Sequence, residues 1–79
     1  MPAEVLAAIR KLKAEHYQRW ADEKLPALGG LTPREAAQRK GAPQNKVELL
    51  LAELEHGESA QPMEQRFDVA SLRRELGLR

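Results

Sequence analysis

The chain has 79 residues, thirteen of them Lys or Arg and twelve Asp or Glu, with no cysteine and only three aromatic side chains. A domain of this size buries only about 60–65% of the surface its unfolded chain exposes, which leaves little material for a deep catalytic cleft. With no cysteine there are neither disulfides nor thiolate metal sites to reinforce it, so helix packing or self-association has to supply the stability.

The net charge of +1 conceals an uneven distribution, because residues 1–46 hold nine Lys/Arg against five Asp/Glu and residues 47–79 hold four against seven. The resulting halves of +4 and −3 can steer a charged partner or pair with each other, and their modest size favours internal pairing. No basic run of the kind that announces nucleic acid is present, so nucleic acid ranks as the weakest class of partner. Glu4 sits where a secretory leader needs positive charge, and Arg10, Lys11 and Lys13 interrupt any apolar stretch behind it. No run approaches the roughly 20 apolar residues of a membrane span. A cytoplasmic location without membrane association is the expectation.

In chain order, Val5, Leu6, Ile9, Leu12, His16, Tyr17 and Trp20 recur at three- and four-residue steps, which predicts a helix from about residue 3 to residue 23. Leu25 precedes Pro26 and is therefore pushed into extended conformation. Pro26, Ala27, Leu28, Gly29 and Gly30 form a turn in which paired glycines supply positive φ, with Leu28 and Leu31 as its anchors to the core. Thr32 then reads as a helix N-cap, with Pro33 at the first helical position and Glu35 completing a capping box. Ala36 and Ala37 give this short helix a close-packing face, and residues 41–43 are expected to stop it.

A third helix is expected to open at Asn45, with Glu48 as a second capping-box acid, and to end at His56 before Gly57. Val47, Leu50, Leu51 and Leu54 make its stripe, and Leu49 lies off it as a core edge or an exposed apolar residue. Residues 57–65 are polar, contain Pro62 and have no apolar period, so they read as the most mobile stretch. Asp68 is the next N-cap, flanked by Phe67 and Leu72 at the spacing of a hydrophobic staple, and Gly77-Leu78 has the form of a Schellman ending. The predicted architecture is all-α: one domain, residues 1–79, with a three-helix core over about 3–56, a linker at 57–65 and a short C-terminal helix at about 68–76.

Catalytic chemistry finds little support. His16 and His56 lack a converging ligand set, since Glu53 and His56 alone make a weak two-ligand pair, so no metal is expected. Thr32 is better used as a cap than as a nucleophile, and neither Ser59 nor Ser71 sits beside a base. Neighbouring acids such as Glu53 with Glu55 lie in solvated runs with nothing to separate their pKa values. Gly29-Gly30 before a helix start lacks the lysine and further glycines of a phosphate loop. Neither an enzyme nor a cofactor is expected. Trp20 reads as core, whereas Tyr17 is divided between core and interface.

The segment from His16 to Ala37 resembles the toxin-binding domain of Xre/MbcA/ParS-like antitoxins: a helix ending in Trp20, a short acidic stretch, Pro26-Ala27-Leu28-Gly29-Gly30, and a small-residue helix opened by Thr32-Pro33. The helix from Val47 to Glu55 is also similar, so the likeness covers about half of the chain, in a stand-alone form without the helix-turn-helix region. The resemblance implies a helical domain that binds a toxin of ADP-ribosyltransferase type, with its C-terminal part reaching towards that toxin. It also implies that residues 26–30 shape the domain and perform no chemistry.

Together these readings give a non-catalytic protein-binding module that contacts its partner through the C-terminal segment. Arg66, Phe67, Leu72, Arg73, Arg74, Leu76, Leu78 and Arg79 are the expected contact residues, because a two-turn apolar-faced helix bearing arginines has to dock on something. Deleting residues 57–79 is then expected to leave a folded core. Two alternatives stand beside this reading: a structural homodimer whose exposed leucines, Leu49 among them, form the seam, and weak nucleic-acid binding by the basic half.

Overall fold

The first helix, α1 (Ala3–Ala21), follows the three-and-four spacing of its apolar residues and stops two residues earlier than the sequence suggests. Asp22 becomes its C-cap, donating its N–H to Arg19 and Trp20, and its carboxylate accepts from Arg34 Nε at 2.9 Å. The computed structural model of the chain describes residues 2–78, and among these there are four α-helices and no strand. The all-α expectation is therefore met.

Pro26–Leu28 forms one turn of 3-10 helix, after which Gly29 (φ 67°) and Gly30 (φ 86°) take left-handed conformations. The loop is closed by its own backbone: Gly30 N–H donates to Leu25 O at 3.0 Å, and Leu25 N–H to Leu31 O at 3.1 Å. Leu28 is buried and Leu31 half-buried, as their role of anchors requires. Helix α2 (Pro33–Ala37) opens with the full capping box, Thr32 Oγ1 accepting from Glu35 N–H while Glu35 Oε1 accepts from Thr32 N–H. Those hydrogen bonds from Thr32 hold the Glu35 carboxyl below its usual range. Ala36 and Ala37 are buried, so the flat face is used as expected.

Helix α3 (Ala42–Ser59) corrects the sequence reading at both ends. Gly41, at φ 101°, lets the chain turn sharply enough for the helix to begin at Ala42 instead of Asn45. Pro43 then lies in the first turn, where its missing N–H is one that no helix could have used. Glu48 is thus inside the helix and serves no cap. At the other end the helix runs through Gly57 to Ser59, although glycine in a helix interior costs about 1 kcal/mol relative to alanine. The three extra residues place Glu58 in the interior beside α1, where it meets Lys13 and Tyr17.

Residues 57–65 are therefore not a free linker. The first three extend α3, and the stretch beyond, with a 3-10 turn at Met63–Gln65, is fastened along α1 by Arg10 Nε to Glu64 O (2.9 Å) and Lys13 Nζ to Gln65 O (2.7 Å). Helix α4 (Val69–Glu75) starts at the Asp68 cap, whose Oδ1 accepts from Ala70 N–H. Its end is a complete Schellman motif: Leu78 N–H donates to Arg73 O, Gly77 N–H donates to Arg74 O, and Gly77 sits at φ 83°.

One core unites these elements. Tyr17 and Ala21 of α1, Leu28, Ala36 and Ala37, Val47 and Leu51 of α3, and Val69, Leu72, Leu76 and Leu78 are buried together, with Trp20, Leu54 and Phe67 packed at its edge. In α1 only Tyr17 and Ala21 are fully buried, both in its C-terminal third, so the rest of the helix extends along or beyond the core. This gives the molecule its 43 × 20 × 19 Å outline.

Candidate protein-binding surface

The contact face expected on the C-terminal helix does not exist as one surface. Leu72, Leu76 and Leu78 are 1%, 1% and 6% exposed and close the domain's own core, which corrects their assignment as partner contacts. The two-turn helix does dock, and what it docks on is α3. Arg73 reaches the same helix, its two terminal nitrogens donating to the two carboxylate oxygens of Glu48 at 2.7 and 3.1 Å. That bidentate pair is internal traffic between the basic and acidic residues of one domain. Arg74 is exposed, 3.9 Å from the exposed Asp68 carboxylate. Arg79 lies outside the described residues.

Arg66 and Phe67 remain. The chain is extended at Arg66 after the 3-10 turn, and Phe67 lays its ring on Tyr17 with centroids 4.5 Å apart and planes 30° from parallel. Beneath that stack lies the one buried carboxylate of the described core, Glu58, which accepts from Lys13 Nζ (2.8 Å), Tyr17 Oη (2.8 Å) and Phe67 N–H (2.7 Å). Burial alone pushes the Glu58 carboxyl up, but the hydrogen bonds from Lys13, Phe67 and Tyr17 outweigh it and hold the group below the usual carboxylate range. The Tyr17 hydroxyl, buried and facing that carboxylate, is pushed up to about 12. Both groups thus keep one protonation state over the ordinary pH range, which suits a structural clasp between α1, α3 and the C-terminal segment.

Above the clasp a cleft of about 190 Å³ opens between α1 and residues 65–68, lined by Arg10, Lys13, Gln65, Arg66, Phe67 and Asp68. Its lining combines apolar surface from Phe67 and the aliphatic stems with a cationic rim. Arg10 and Arg66 each donate Nε to a backbone carbonyl, of Glu64 and Gln61 respectively, which fixes the two guanidinium groups on either side of the cleft. A guanidinium held by Nε still has its paired terminal N–H groups for a carboxylate. The arrangement is a shallow, partly apolar cleft with three cations, Arg10, Lys13 and Arg66, and one carboxylate, Asp68, around it. Among the described residues no group of three or more His, Cys, Asp or Glu is placed to hold a metal, and no helix is long and apolar enough to cross a membrane.

Arg10 and Lys13 were not singled out in the sequence as contact residues, because their partners Glu64, Gln65 and Glu58 lie 45 to 54 residues away in the chain. Their spacing carried a faint signal: Lys13 and Tyr17 are one helical turn apart, and a lysine on an otherwise apolar face invites a buried acid. The turn residues Pro26, Ala27, Leu28, Gly29, Gly30, Thr32 and Pro33 are found as scaffold, with Leu28 and Pro33 buried and Thr32 occupied as a cap. His16 is exposed and packs edge-on against Tyr17 at 5.3 Å. Comparison with protein-family models, with curated proteins and with solved structures finds no match to this chain.

Proposed function

We propose that the domain is a non-catalytic protein-binding module of antitoxin-like type, which takes an acidic segment of its partner in the cleft between α1 and residues 65–68. The observation that carries this reading is the pair of guanidinium groups of Arg10 and Arg66, each held by its Nε, flanking the half-buried ring of Phe67. Held arginines on an apolar floor lose less side-chain entropy on binding than free ones, and arginine beside an aromatic ring is the usual composition of an interface anchor. The resemblance of residues 16–37 to antitoxin toxin-binding domains supports a toxin of ADP-ribosyltransferase type as the partner class. The contact region moves from the apolar face of α4, which is consumed by the core, to the segment that leads into it.

The test is co-expression with the product of the neighbouring reading frame, followed by titration of the purified pair. Arg66→Glu is expected to weaken binding at least about tenfold, the usual penalty for reversing an interface charge of this kind, while leaving the melting curve in place. Full affinity in both Arg66→Glu and Arg10→Glu would remove the cleft from consideration.

A further inference from the structure

Side chains advance by about 100° per residue along a helix, so Val5, Ile9, Leu12 and His16 of α1 share an arc about 60° wide. The buried residues Tyr17 and Ala21 mark the direction of the core, and the arc is turned from it by roughly 130°. It is apolar yet largely uncovered: Leu12 is 65% exposed, Val5 46%, His16 is exposed and Ile9 half-buried. Its four-three-four spacing is that of a coiled-coil seam, on a helix already tethered to the rest of the chain at Arg10, Lys13 and Tyr17. The other strongly exposed leucine, Leu49, shares its side of α3 with Lys46 and Glu53 and belongs to no stripe.

We propose that this stripe is the seam of an antiparallel homodimer, α1 packing against α1 of a second copy. The pattern is self-complementary about a twofold axis passing between Arg10 and Lys11: Val5 meets His16, Ile9 meets Leu12, and both layers recur on the other side of the axis. The same register brings exposed Arg19, near the C-terminal end of one helix, beside exposed Glu4 in the first turn of the other, at both ends of the seam. Among the described residues neither Glu4 nor Arg19 makes an ion pair within its own chain. A parallel pair would instead set Arg19, which continues the seam one step beyond His16, against Arg19 of the second copy. Charge therefore selects a second, inverted copy as the occupant.

The size of the seam sets the strength of the dimer. Residues 5–16 span about 18 Å of helix, and a helix contact is about 10 Å wide, far below the roughly 800 Å² per partner of a stable complex. Only weak association is expected from a contact of that size, developing in the upper micromolar range. The seam lies on the side of α1 away from Arg10 and Ala14, so pairing leaves the cleft open and a dimer presents two clefts.

Sedimentation of the full chain from about 10 µM to about 1 mM at low salt tests the seam. The weight-average mass should climb from 8.9 kDa towards twice that value. Leu12→Glu, and Val5→Lys as a second variant, should stay at the monomer mass with an unchanged melting midpoint, whereas Leu49→Glu should associate like the natural chain. Glu4→Arg and Arg19→Glu should each weaken association about two- to fivefold, and the two together should restore it. A natural chain that remains monomeric at about 1 mM, association that survives both stripe variants, or association abolished by Leu49→Glu would each overturn the seam. A charge-swapped double variant weaker than either single one would overturn the antiparallel arrangement.

Discussion

Replacing Glu58 by alanine removes the acceptor of three donors at once, from Lys13, Tyr17 and the Phe67 backbone. Tyr17 and Glu58 are each 8% exposed, so the tyrosine hydroxyl has poor access to replacement water, and the Phe67 amide, bonded to the same buried carboxylate, has only partial access. Each donor stranded in that way costs about 1–3 kcal/mol. Lys13 counts for less, because 23% of its side chain is exposed and its ammonium keeps the bond to Gln65 O. The sum is about 3–5 kcal/mol, against a total stability of about 4–12 kcal/mol for a chain of this length. At roughly 4–8 °C per kcal/mol, the melting midpoint followed by circular dichroism should fall by about 12–40 °C. Glu58→Gln keeps an acceptor for Lys13 and Phe67 and should lose less than half as much. A fall of under about 5 °C for the alanine variant would show that Glu58 is no clasp and that the C-terminal segment is held by its leucines alone.

The same clasp fixes the pH dependence. The folded-state pKa of Glu58 lies below its unfolded value, so its contribution is present above about pH 4.5 and is lost as pH falls through the folded value. Tyr17 works in the opposite direction: raised from 10.0 to about 12, it contributes fully below pH 10 and loses that contribution as pH rises towards 12. Melting midpoints against pH should therefore decline on both flanks, with Glu58→Gln flattening the acid one and Tyr17→Phe the alkaline one. Because the chain has a single tyrosine, phenolate absorbance reads the Tyr17 titration directly, and a midpoint near 10 would contradict its burial against a carboxylate. Deleting residues 57–79 withdraws Glu58, Val69, Leu72, Leu76 and Leu78 from the core and is expected to leave an unfolded chain by far-ultraviolet circular dichroism. A cooperative melt in the truncated form would show that the first three helices suffice by themselves.

Local grammar was the most readable part of this sequence. The Thr32–Glu35 box, the Asp68 cap and the Gly77 ending each close within five residues, so the groups that satisfy one another are neighbours in the chain. The sequence misleads where a residue with a strong local tendency serves a distant purpose. Pro43 reads as a stop but sits in a first turn, and Gly57 reads as an end but is carried inside α3 so that Glu58 can reach Tyr17 and Lys13. The arginine cluster was legible as charge, yet charge alone does not say that Arg73 belongs to Glu48 while Arg66 flanks a cleft.

By itself the sequence determined an all-α chain, where three of its four helices begin, and the apolar stripes they carry, because helix periodicity and capping depend on residues one turn apart. The tertiary structure alone decided which stripes are spent internally. Leu72, Leu76 and Leu78 sit on a face no more apolar than that of Val5, Ile9 and Leu12, but Gly77 and the Asp68 cap aim α4 back onto α3 while the straight run of α1 carries its own stripe clear of the core. Hydrophobic burial has no direction of its own; backbone geometry chose which face it covered and which it left exposed.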